Sequence, residues 1–220
     1  MSMVQVTYYL EVLSSWCYWA EPTWKELKQE YAGRVSFDWK IALMPAEAYP
    51  VSVAQCEWFY RRSGSIVRSP FMLNPGWLEA ERKQYQVPNL IVLAARDLGI
   101  NDDRVRLAIA HAGLREGKRV GQWEPAIAAA APAGELDPVK LLKRSQAPDI
   151  AATAQATTAE FHALQVTQRP AFLIQNSIGD RAVFSGLVQL EPLRSAIEAL
   201  LSDEAAYASW KAHFGDPPPA

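Results

Sequence analysis

Apolar and polar positions along the chain follow two periods in turn. Residues 4–12, VQVTYYLEV, form an apolar run rich in β-branched and aromatic side chains, which reads as a strand. A helical pattern follows, carrying Trp24, Leu27 and Tyr31. Residues 34–41, RVSFDWKI, then alternate with period two, as a half-buried strand does. Strand, helix and strand at this length predict a parallel pair with a right-handed crossover. Pro45 and Pro50 break the pattern.

From about residue 53 to residue 158 the signal is helical. Leu90, Val92, Leu93, Ala94, Ala95 and Leu98 crowd one helix, which Gly99 ends. Asn101, Asp102 and Asp103 are N-cap candidates for the next, with Val105, Leu107, Ala108 and Ile109 on its apolar side. Residues 123–131 are alanine-rich and are expected to stop at Pro132. Asp137-Pro138 opens a further helix in the cap-then-proline style, Ala147-Pro148 stops it, and residues 150–164 make a last one.

The chain then returns to strand. Residues 171–175, AFLIQ, are short and apolar, residues 176–180 turn at Gly179, and residues 181–185 pair back as a hairpin. Residues 191–201 are amphipathic, with Leu193, Ile197, Leu200 and Leu201 on one side, and residues 203–214 read as a terminal helix. The order is βαβ, a block of helices, then ββα. This predicts an α/β fold: a small mixed sheet with helices packed on it, interrupted by a helical insertion. The expected division is a discontinuous domain of residues 1–50 and 165–214, an insertion of residues 51–164, and a flexible tail of residues 215–220 that contains Pro217, Pro218 and Pro219.

Composition narrows the functions. The formal net charge of the 220 residues is −2, so there is no electrostatic footprint of a nucleic-acid binder. The short pairs Arg61-Arg62 and Lys118-Arg119 read as solvated surface. No apolar run reaches the ~18–20 residues that cross a bilayer, and the N-terminus lacks the basic-then-apolar pattern of a secretory signal. A cytoplasmic location is expected, where Cys17 and Cys56 are reduced by default. His111, His162 and His213 have no metal-ligand spacing, so no metal is expected. The chain has no Gly-rich phosphate loop and no G-x-S-x-G elbow. Oligomeric state is left open, a homodimer included.

The candidate chemistry sits where the first strand meets the first helix, at Ser14-Ser15-Trp16-Cys17-Tyr18. A helix N-terminus carries about half a positive charge and unpaired N–H groups, which favour a thiolate placed there. Ser14 cannot itself be that anion near neutral pH. Its hydroxyl can donate a hydrogen bond to a bound thiolate, worth roughly 1.5–3 kcal/mol to a charged partner. Cys17 follows one turn later, on the same side but deeper. The plainer reading is that Ser14 or Ser15 is an ordinary N-cap and Cys17 a small buried apolar residue. Pro22 either marks a helix that starts near Glu21 or kinks one that starts at Ser15.

Two motifs at opposite ends of the chain carry a resemblance. Ser14-Ser15-Trp16-Cys17-Tyr18 resembles the Cys-Pro-Trp-Cys-Tyr run of the FrnE-like branch of the DsbA family, with serine at its first two positions. The segment of residues 166–174, VTQRPAFLI, resembles the family's Gly-Val-x-x-x-Pro-Thr-Phe-x-Ile, and Gly186 after the hairpin fits as well. The resemblance implies a thioredoxin-like fold with a helical insertion and a cis peptide bond before Pro170. Kappa-class glutathione transferases and 2-hydroxychromene-2-carboxylate isomerases are similar in having serine at the first site position, which implies glutathione as substrate or cofactor. Their Ser-Asp glutathione contact after the last strand has no match here, where the chain reads Gly186-Leu187-Val188-Gln189.

The resemblance implies an enzyme that holds a small thiol at Ser14 and presents it to an apolar or aromatic electrophile, as a transferase or isomerase. Ser14 and Cys17 take the catalytic positions. Ser15, Trp16, Tyr18, Trp19, Arg169 and Pro170 take the substrate-binding ones, with Arg169 and Pro170 on the thiol's backbone and Trp16, Tyr18 and Trp19 shaping the second pocket. Trp58, Phe59 and Tyr60 add aromatic surface at the start of the helical block. Two other readings stand beside it: a thiol–disulfide oxidoreductase working through Cys17 or a Cys17–Cys56 pair, and a redox-inactive domain that binds an extended peptide beside Pro170.

Overall fold

A computed structural model describes residues 4–79 and 81–216. The first strand, β1, spans Val4–Leu10 and the first helix, α1, Ser15–Glu30; β2 spans Val35–Ile41. Helices α2 (Val53–Ile66), α3 (Gln86–Asp97), α4 (Arg104–Leu114), α5 (Trp123–Gly134), α6 (Pro138–Ser145) and α7 (Pro148–Ala163) follow. The chain closes with β3 (Ala171–Gln175), β4 (Arg181–Ser185) and α8 (Leu190–Phe214). Residues 217–220 of the expected tail lie outside the described residues.

The four-stranded sheet has the order β2-β1-β3-β4. β1 runs parallel to β2, with Val6 opposite Phe37, and antiparallel to β3, with Val6 opposite Ile174. β3 and β4 form the expected antiparallel hairpin. β1 is buried along almost its whole length because both faces are covered. Its even-numbered residues Val4, Val6, Tyr8 and Leu10 join Trp24 and Leu27 of α1 and Phe172 of β3 in the main core. Tyr9 points the other way, into a smaller cluster with Phe161 of α7 and Ala171. Tyr8 stacks on Phe172 at 4.8 Å between ring centroids and meets Trp24 at 5.1 Å. The N-terminus of α1 is thus fixed by a packed strand beneath it.

Two boundaries differ from the sequence pattern, and a third falls on one of the two alternatives it left open. α1 starts at Ser15 and runs through Pro22, because Cys17, Ala20, Trp24 and Leu27 bury one continuous stripe that outweighs a single lost hydrogen bond. α5 likewise continues through Pro132 to Gly134, with Ala130 and Ala131 buried beside it. Residues 190–214 form one helix rather than two. A break near Asp203 would expose unpaired backbone groups at two new helix ends, and continuing the helix avoids that.

Candidate functional site

The turn between β1 and α1 is built from polar contacts that the sequence pattern did not reveal. Ser14 N–H donates to Glu11 C=O at 3.1 Å, closing the turn. The Glu11 side chain is fully buried and accepts three hydrogen bonds: from Leu13 N–H at 2.9 Å, from Asn89 Nδ2 at 2.7 Å and from the Tyr49 hydroxyl at 3.1 Å. Asn89 in turn accepts from Val12 N–H at 3.2 Å. One carboxylate and one amide therefore hold the segment that delivers Ser14. The available signal was a single acid, Glu11, inside an otherwise apolar run.

Ser14 is the N-cap of α1, with extended backbone, and its Oγ accepts from Cys17 N–H at 3.3 Å. The plainer expectation for Ser14 thus holds as geometry. The same serine also lines a cavity of about 340 Å³ at this helix N-terminus. Ser15, Trp16 and Arg169 line it too, together with Tyr49, Phe59, Tyr60 and Trp77, so that aromatic rings make up part of its wall. Volume and lining suit a small ligand with an apolar part.

Cys17 lies beneath the cavity rather than on its wall and is 3% exposed. Burial pushes its thiol up to about 12, against a smaller opposing pull from the Ser14 side chain. The thiolate, which is the reactive form, is therefore scarce near neutral pH. Cys56 does line the cavity, and burial pushes it up to about 11. Both thiols are free. Iodoacetamide at mildly alkaline pH is expected to leave Cys17 unmodified in the folded protein and to modify it fully in denaturant; peptide mass mapping reads this directly. Rapid native modification of Cys17 would contradict its burial.

Tyr18 and Trp19 do not line this cavity. Tyr18, two positions beyond Trp16, is turned about 200° around the helix, and Trp19 is drawn away by its contacts with the helical block. Trp19 donates its indole N–H to Ser63 Oγ at 3.1 Å and packs on Phe71 at 5.3 Å, and Tyr18 packs edge-on against Trp19. They join α1 to the helical block instead of shaping a second pocket.

The Arg169–Pro170 peptide bond is cis, and Pro170 is buried. The Arg169 guanidinium is largely committed to the protein: Nε donates to Ala42 C=O at 2.6 Å, Nη2 to Leu43 C=O at 2.6 Å and Nη1 to Thr167 C=O at 3.2 Å. It also lies 4.3 Å from the Phe161 ring centroid. These contacts anchor the segment before β3 to the end of β2. The Arg169 main-chain N–H and C=O make no hydrogen bond among the described residues. After the hairpin, Val188 C=O accepts from Thr23 Oγ1 at 2.7 Å, tying residues 186–189 to α1. Among the described residues no group of three or more His, Cys, Asp or Glu is placed to hold a metal, and no helix is long and apolar enough to cross a membrane.

This sheet order, with helices inserted between its βαβ and ββα parts and a hydroxyl three residues before a thiol at the first helix, defines a thioredoxin-like fold. The sequence matches the DSBA-like thioredoxin domain family over residues 5–198, and the chain belongs to that family. Among solved structures it is similar to the cytosolic disulfide reductase DsbM from Pseudomonas aeruginosa, at 18% identity and TM-score 0.71, covering 90% of this chain and 98% of that one. It is similar to 2-hydroxychromene-2-carboxylate isomerase at 14% identity and TM-score 0.64, covering 92% and 98%. Pseudomonas aeruginosa DsbA is similar at 16% identity and TM-score 0.60, covering 94% and 87%. No curated relative matches the chain. At these identities the structural likenesses speak for the fold, and the neighbours are oxidoreductases and an isomerase.

Proposed function

We propose that this chain is a glutathione-dependent transferase or isomerase acting in the cytoplasm, in which Ser14 holds the thiolate of bound glutathione. The observation that carries the reading is Ser14 at the N-terminus of α1, opening into an aromatic-lined cavity while the neighbouring Cys17 is buried and protonated. The helix N-terminus favours an anion at this place. The Ser14 oxygen already accepts from Cys17 N–H, which leaves the hydroxyl proton to donate to an incoming sulfur. The main chain of Arg169, without a hydrogen bond among the described residues, supplies a donor and an acceptor for the peptide-like backbone of the thiol. Trp16, Tyr49, Phe59 and Trp77 then face an apolar electrophile. Two neighbours support this assignment: DsbM has also been solved with glutathione, at 16% identity and TM-score 0.67, and the isomerase acts on a ring-bearing substrate.

The test is a glutathione titration followed by intrinsic tryptophan fluorescence, since Trp16 and Trp77 line the cavity. Saturable binding is expected, and Ser14→Ala is expected to weaken it about tenfold, the equivalent of one charge-assisted hydrogen bond. Circular dichroism confirms that the variant is folded. Binding of unchanged affinity in the folded variant would remove Ser14 from the thiol site.

A further inference from the structure

Two arginines line the cavity, and they differ in what their donors do. Arg169 spends three N–H groups on backbone carbonyls of its own chain. Arg62, on α2, is exposed, and its side chain makes no hydrogen bond or ion pair among the described residues. Its guanidinium instead lies over two rings, 5.1 Å from the Trp58 centroid and 5.2 Å from the Phe59 centroid. These rings stand four and three residues earlier on the same helix, the spacings at which side chains meet. No carboxylate lines the cavity among the described residues. The contact with two rings restrains the guanidinium, and its N–H groups have no hydrogen-bond partner among the described residues. A planar fork held in this way loses less entropy when it closes on a planar anion. Its natural partner is a carboxylate bound through two parallel N–H···O bonds.

We propose that Arg62 is a specificity-determining residue of this cavity, binding the carboxylate of the ligand that occupies it. The proposal rests on the small-thiol reading of the Ser14 site. The carboxylate belongs either to the thiol or to the electrophile; the recognising chemistry is the same, and the experiment separates the two sources.

The full-length protein, Arg62→Met, Arg62→Lys and Ser14→Ala are titrated by calorimetry, because Arg62 lies over Trp58 and its loss would disturb a fluorescence readout. The probes are glutathione and its diethyl ester, then 1-naphthoate and neutral 1-naphthamide. Arg62→Met is expected to weaken at least one acid about tenfold or more, with Arg62→Lys between the two, since an ammonium keeps the charge but not the fork. The ester and the amide should bind wild type and Arg62→Met equally. An effect confined to glutathione assigns the carboxylate to the thiol, and one confined to naphthoate assigns it to the second substrate. The proposal is overturned if both acids bind Arg62→Met as they bind wild type, if neither acid saturates wild type at millimolar concentration, or if the neutral probes lose as much as the acids. Loss of glutathione binding in Ser14→Ala, with both acids binding Arg62→Met as they bind wild type, would sink the Arg62 role and leave the thiol site standing. Retention in Ser14→Ala with loss in Arg62→Met would do the reverse.

Discussion

Arg106→Met is expected to destabilise the protein by about 3–5 kcal/mol, the range for removing one partner of a buried ion pair. Arg106 lies on α4 and its side chain is only 3% exposed. It donates through Nη1 and Nη2 to both carboxylate oxygens of Glu21 on α1, and its Nη2 forms an ion pair with Asp103 at 2.9 Å. The Tyr8 hydroxyl also donates to Glu21, and Trp24 Nε1 and Lys28 both donate to Asp103. Methionine fills much of the volume but leaves Glu21, which is only partly exposed, without its cation. For a chain of this size the loss lowers Tm by on the order of 10 °C. A double-mutant cycle with Glu21→Gln separates the pair from the packing: the double variant should be clearly less destabilised than the sum of the singles. A Tm within about 2 °C of wild type for Arg106→Met would show that the cluster is not what joins α1 to the helical block. The cluster matters for the site because α1 carries Ser14 at its other end, so the angle of that helix is set partly by an arginine some ninety residues away.

The reach of the sequence pattern follows from where each piece of information lies. The β3–β4 hairpin was legible because AFLIQ, a turn with Gly179 and RAVFS are all local signals. The cap at Ser14 and the segment before Pro170 were legible as motifs for the same reason. The course of the chain at Pro22 was left open and the continuation through Pro132 and Asp203 was not legible, because burial of Trp24, of Ala131 and of Leu200 with Glu204 decides them. Which way Tyr18 and Trp19 face depends on the position of α2, which their own neighbours in sequence do not encode. The partners of Glu11 lie 38 and 78 residues away, at Tyr49 and Asn89, and those of Arg106 lie on another helix. Polar contacts of that separation are invisible to periodicity. They are also the contacts that position the candidate site.

Glu11→Gln is expected to abolish most of a pH dependence of stability that wild type shows between about pH 4.5 and 7. Burial raises the Glu11 carboxyl from its ordinary 4.5 to about 7, against the opposing hydrogen bonds from Asn89, Tyr49 and Leu13 and the charge of Arg169. The folded state therefore holds this proton more tightly than the unfolded chain does. Linkage gives the sign: below pH 4.5 the group is protonated in both states and its full contribution is present. As pH rises towards 7 the unfolded chain releases the proton first, so stability falls by about 3 kcal/mol in all and then levels off. Glutamine does not titrate, so the difference in unfolding free energy between wild type and variant should change by that amount across the window. The absolute level at alkaline pH is less favourable to the variant than removal of a buried charge suggests. The glutamine NH2 must face Leu13 N–H or the Tyr49 and Asn89 donors, and a donor set against a donor costs about 1–3 kcal/mol. Urea unfolding of both proteins at pH values spanning 4 to 8 isolates the slope from that offset. Parallel curves for the two proteins would place the Glu11 carboxyl in its ordinary range and remove it as the titrating group under the Ser14 turn. A converging pair would make the turn that delivers Ser14 sensitive to proton concentration near neutrality.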